Sequence, residues 1–146
     1  MNRARMNLRS AESLLGTPEC VNDAGLLTMH ALEEIGKAYI LRDRLQQAEN
    51  SGVDFIQIEG RGDDFYSHPA KINAALNEMP AELRTLTMGT FDPSQQFFQT
   101  GRMNISQDLK EHITYTEYGS NGWISPHTFN PTQVRNLIHR LRELNP

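Results

Sequence analysis

The sequence predicts an all-α chain: a bundle of four to five helices with one long central helix and irregular loops. Three observations carry that prediction. Residues 18–48 contain no proline after Pro18 and keep a helical apolar pattern throughout, enough for one helix of roughly eight turns. "NPTQVRNLIHRLREL" opens with Asn130 as a cap and Pro131 at the first helical position. Ala4, Leu8, Ala11 and Leu15 recur at spacings of three and four, the mark of an amphipathic helix over residues 3–15.

Element by element, Gly16 ends the first helix and Thr17-Pro18 opens the second. Asn50, Ser51 and Gly52 stop the long helix. "VDFIQIEGRGDD" alternates like a strand, but its two glycines and three aspartates favour a loop. A third helix starts near Ser67, with Ile72, Ala75, Leu76 and Met79 on one face, and Pro80 interrupts it. "AELRTLTMG" adds a short fourth helix, "QDLKEHITYTEY" reads as a helix end running into an extended piece, and "GSNGWISP" is a turn-rich loop. No pattern places residues 90–106, which are rich in Gln, Thr, Asn, Ser and Phe. The 146 residues show no repeat or linker and suit a single domain over 1–146.

Charge and composition exclude several function classes. With 14 Lys plus Arg against 18 Asp plus Glu, the net charge of -4 argues against a globally basic nucleic-acid binder and leaves room for a local basic patch. Cys20 stands alone, so there is no intrachain disulfide and no cysteine-based zinc site. No apolar run reaches the length of a membrane span, and "MNRARMNLRS" lacks the apolar core of a signal peptide. The expectation is a protein of the reducing cytoplasm, without membrane attachment or cofactor.

The stretch "HALEEIGK" (residues 30–37) poses a chemical problem. Ala24, Leu27, Ala31, Ala38, Leu41 and Leu45 form a stripe, and Glu34 fills its gap, so the spacing predicts a buried Glu34. His30 and Lys37 lie within reach of it, and Glu33, beside the seam, can pair with Lys37. A buried carboxylate needs such partners, and Glu34→Ala then costs about 3 kcal/mol. The cluster reads either as a polar clamp fixing helix register or as part of a functional site. His30 and Glu34 at i, i+4 offer two metal ligands, but no second helix carries matching ones, so no metal is expected. Gly25 and Gly36 suggest close approach of neighbouring helices.

A second constellation is "SHPAKINAAL" (residues 67–76). Ser67 can cap, Pro69 fits the first turn, and His68 and Lys71 project from one side at i, i+3. With the free N–H groups of a helix start they make an anion or phosphate site, or else two solvated surface residues.

Taken together, "NDAGLLTMHALEEIGKAYIL", "FYSHPAKINAAL" and "GWISP" ahead of a last helix resemble the AbiV-type abortive infection proteins of the HEPN superfamily. Glu33, Glu34, Gly36 and Lys37 match an E-E-x-G-K motif, His68 and Lys71 match H-x-x-K, and Trp123, Ser125 and Pro126 match an aromatic-then-proline loop. The resemblance runs from about residue 7 to the end and is weakest over 80–105. It implies a HEPN-type helical bundle and a role in bacterial phage defence, shutting down the infected cell. Many HEPN relatives are dimeric, metal-independent ribonucleases with an R-x4-6-H motif. Arg61 and His68 satisfy that count, though Gly62-Asp63-Asp64 breaks a helix between them; Arg135 and His139 have three residues between, one short of it.

The resemblance thus implies a toxin acting on RNA or the translation machinery, or alternatively a non-catalytic protein engaging a phage or host protein. For cleavage, His68 would serve as acid or base, Lys71, Lys37 or Arg61 would hold phosphate, and Glu34 would orient His30 or neutralise Lys37. The implied partners are a second copy of the chain, RNA, and a phage protein as activator or target. Phe91, Phe97, Phe98 and Trp123, in poorly regular segments, need cover in the core or against that second copy.

Overall fold

The computed structural model describes residues 2–60, 62–99, 101–103, 109–114, 117–119, 122–124 and 127–144. Helix α1 covers Asn2–Leu14 and a 3-10 turn Pro18–Cys20 leads into α2, Val21–Asn50. Then come α3 (His68–Glu78), α4 (Ala81–Phe91), the strands β1 (Phe98–Gln99) and β2 (Arg102–Met103), and α5 (Leu109–Thr114). Strands β3 (Glu117–Gly119) and β4 (Gly122–Ile124) precede the last helix, α6 (Pro131–Leu141). The class is all-α. Among the described residues there are six α-helices rather than four to five, and two short antiparallel hairpins, one in the stretch no pattern placed and one running from the expected extended piece into the expected turn-rich loop.

Local chemistry sets the ends. Ser67 accepts from Ala70 N at 3.3 Å and Asn130 accepts from Thr132 N at 2.9 Å, the two caps the sequence predicts. The 3-10 turn delays α2 to Val21, because Pro18 at its start suits the tighter turn. Gly52, at φ +67°, leaves the helix through the left-handed region.

Helix α2 is the centre of the bundle, with α1 and α3 packed along it and α5 and α6 also against it. Covered on several sides, it buries residues around much of its circumference: Ala24, Thr28, Met29, Ala31, Leu32, Ile35 and Tyr39. The predicted stripe is therefore displaced. Its members Leu27, Ala38 and Leu41 are half-buried and Leu45 is exposed, because α2 outruns the core after Tyr39. Glu34 goes with them. Its side chain is 21% exposed, whereas that of Glu33 is 7% exposed, so the buried carboxylate is Glu33.

Both helix glycines mark close contacts, as expected. A Cβ on Gly25 would strike the Phe129 ring, and one on Gly36 would strike the backbone carbonyl of Lys71 in α3. Phe129 is held there by its N–H, donated to Asn22 Oδ1 at 3.1 Å, and by edge contacts with Phe91 and His127. Phe91, Phe97 and Phe98 are buried in the chain's own core, so they do not form a surface for a second copy. The Trp123 side chain, Ser125 and Pro126 lie outside the described residues, as does Arg61.

Candidate functional site

The site forms where α3 begins against the middle of α2. His30, Glu33, Glu34 and Lys37 follow i, i+3, i+4, i+7 and so share one face of α2. Gly36 lies three residues after Glu33 and lets the α3 backbone close down at Lys71. That contact brings His68 and Lys71, one helical turn apart, over Glu33.

The preceding loop is fastened so that α3 starts there. Asp63 is buried and accepts from Arg44 Nη1 at 2.9 Å and Nη2 at 2.5 Å, and from the N–H groups of Glu59 and Phe65. The Arg44 fork and these backbone donors hold the Asp63 carboxyl far below its ordinary range. Tying Asp63 inward also sets Phe65 under Lys37, whose Nζ is 5.8 Å from the ring centre.

Glu33 bridges two cation-forming side chains. Its Oε1 is 2.7 Å from His68 Nδ1 and its Oε2 is 3.5 Å from Lys71 Nζ. An ionised carboxylate only accepts, so His68 donates through Nδ1–H and its Nε2 is left for another partner. The His68 side chain is 36% exposed, and that of Lys71 only 5%. Lys71 therefore holds Glu33 in place from inside, with its ammonium turned to that carboxylate and little exposed. Lys37 pairs with Glu34 Oε1 at 2.5 Å, not with Glu33, and both side chains remain partly open to solvent.

His30 completes the α2 face. Its Nε2 is buried without a hydrogen-bond partner among the described residues. Burial pushes the imidazole below its ordinary value, with Lys110 of α5 adding to the effect and Glu33 opposing it. Among the described residues, no three His, Cys, Asp or Glu side chains are grouped to hold a metal ion. Burial likewise lowers His127.

These two histidines give a pH expectation. Their ordinary value lies near 6.5. Both bind a proton less readily in the folded state than in the unfolded chain, so the unfolded state takes up more protons and stability falls as pH drops below about 6.5. Melting temperature should fall between pH 7.5 and 5.5, and less so in a His30→Leu, His127→Leu double variant. Loss of the Asp63 contribution comes only further down, below the ordinary carboxylate value of 3.8.

The sequence presents His68–Lys71 and Glu34–Lys37 as two separate constellations and puts the buried carboxylate at Glu34, whereas in the structure the more buried carboxylate is Glu33, against His68 and Lys71. The signal for Glu33 was available: Gly36 marks the face that meets α3, and Glu33 precedes it on that face by one turn. Arg61, at the loop, is outside the described residues, and His68 opens α3, so the intervening residues form turns and no helix joins the two. Arg135 and His139 stand exposed on α6, away from Glu33's partners.

A family model described as AbiV matches residues 1–143. The chain belongs to the HEPN_AbiV family. Membership implies a part in abortive infection, a form of phage defence, and the helical bundle agrees with a HEPN fold. No curated protein and no solved structure matches the chain. Among the described residues, no helix is long and apolar enough to cross a membrane.

Proposed function

We propose that this family member is a single-domain, cytoplasmic abortive-infection toxin that cleaves RNA without a metal, with His68 as the group that moves the proton. The observation that carries the reading is the Glu33–His68 contact of 2.7 Å. It leaves a half-exposed imidazole fixed in one tautomer, with its second nitrogen available. In the proposed step His68 Nε2 takes the proton of a 2′-OH, the freed oxygen attacks the adjoining phosphorus, and the P–O5′ bond breaks. The imidazolium then returns its proton to the leaving oxygen, giving a 2′,3′-cyclic phosphate and a 5′-OH end. Lys37, the partly exposed cation of the cluster, would face the phosphate. Glu33 and Lys71 are positioning residues. A homodimer and a phage-protein trigger come with the family reading and rest on it alone.

The test is incubation of the purified chain with total RNA in chelator, with and without lysate from phage-infected cells. Cleavage ending in cyclic phosphates is expected, reduced about 10²–10⁴-fold in His68→Ala. RNA left intact under both conditions, or cut equally by His68→Ala, contradicts the proposal.

The second reading is a non-catalytic protein that engages a phage or host protein. The burial of Lys71 favours it, because a carboxylate shared between a buried lysine and a histidine is also what a structural clamp needs. Under that reading His68→Ala lowers the melting temperature and leaves RNA untouched in wild type and variant alike.

A further inference from the structure

The outer faces of α1 and α6 adjoin. Arg142 Nη2 donates to Glu12 Oε2 at 2.6 Å. The same carboxyl group is lowered chiefly by Arg142 and further by His139 and Arg135. Arg142, directly after α6, therefore ties the end of that helix to Glu12 of α1.

Helix α1 continues this basic character. Ala4, Leu8 and Ala11 take the core side, which turns Arg3, Arg5, Met6 and Arg9 outward. Arg5 and Arg9 stand one turn apart, and Glu12 follows Arg9 by three residues, on the side toward α6. Arg3, Arg5, Arg9 and Arg135 are all exposed, and none of them makes an ion pair with another described residue. Several cations elsewhere are engaged: Arg42 with Asp43 and Glu78, Arg44 with Asp63, Lys71 with Glu33, and Arg84 with the carbonyls of Leu76, Asn77 and Met79. Among the described residues, four of the five exposed arginines without an ion pair thus lie on α1 and α6, Arg102 being the fifth, in a chain of net charge -4.

We infer that the α1–α6 face binds the phosphate backbone of RNA. The inference rests on the reading of an RNA-acting protein and gives it a docking surface separate from His68. Arginine predominates there, and its planar fork matches phosphate oxygens. The one exposed apolar side chain among these is Met6, whereas a protein partner needs aromatic or aliphatic anchors at the centre of its interface. Arg5 and Arg9, one turn apart, offer successive cations along α1, and Arg135 adds one on α6, suited to a repeating anion.

The experiment is fluorescence anisotropy of a labelled single-stranded oligouridine with the full chain across a range of salt, with polyglutamate as competitor. If three or four phosphates are neutralised, the slope of log K against log salt is roughly -2 to -3 for a single strand. Arg9→Glu with Arg135→Glu, both at exposed positions, should bind at least about tenfold more weakly, with a slope shallower by about 1 or more. Phe55→Ser, at an exposed position after α2 and away from both helices, should bind as wild type does. Equal affinity and slope in the double variant overturn the inference, as does absence of oligouridine binding at low salt. Polyglutamate competing as well as RNA overturns it in favour of an acidic protein partner. Arginine-dependent binding without cleavage would remove the catalytic proposal and leave this surface standing.

Discussion

Glu33→Ala is expected to destabilise the chain by about 3–5 kcal/mol, and Glu34→Ala by no more than about 1 kcal/mol. The difference follows from what each removal leaves behind. Without Glu33, the Lys71 ammonium stays 5% exposed with no ion-pair partner left among the described residues, and His68 loses its acceptor. Without Glu34, Lys37 is already about a quarter open to water and turns outward. The sequence pattern alone assigns the larger loss to Glu34; burial transfers it to its neighbour. Urea unfolding of the two variants side by side is the measurement. Equal losses would mean that Glu33 is not the buried partner of Lys71.

Gly36→Ala should cost about 3 kcal/mol or more, at or above the upper end of ordinary overpacking. The added methyl group meets the Lys71 backbone carbonyl, which belongs to a helix and cannot rotate aside. Helix α3 has to move away from α2, and the Glu33 contacts to His68 and Lys71 lengthen together. Gly25→Ala meets a side chain, the Phe129 ring, and should cost less, about 1–3 kcal/mol, since a ring can tilt where a backbone cannot. The check is thermal unfolding of both variants. A Gly36→Ala protein as stable as wild type would mean that α3 does not close on α2 at this point.

How far the sequence reveals this molecule depends on how local each determinant is. Helix ends are legible because caps act within a few residues: Ser67 before α3, Asn130 and Pro131 at α6, Gly52 after α2. The close contacts are legible too, since Gly25 and Gly36 are poor helix residues without another reason to be there. The orientation of α2 is not. A stripe search assumes one buried face, and α2 is covered by α1, α3, α5 and α6, so its apolar residues encircle it and the stripe is ambiguous by about one residue. That single residue separates Glu34 from Glu33. Hairpins of two or three residues per strand, such as Phe98–Gln99 with Arg102–Met103, carry too little alternation to be read. The Asp63 anchor needs Arg44, nineteen residues away, and no local pattern pairs them.

The claim on which the rest depends is that Glu33 holds His68 through Nδ1 and leaves Nε2 to act. Long-range ¹⁵N–¹H NMR of the imidazole tests it directly, at a pH where His68 is neutral. The account predicts the Nδ1–H tautomer for His68 in the wild-type chain, and a return toward the solution mixture in Glu33→Ala. A His68 ring carrying its proton on Nε2 in the wild-type protein would contradict it.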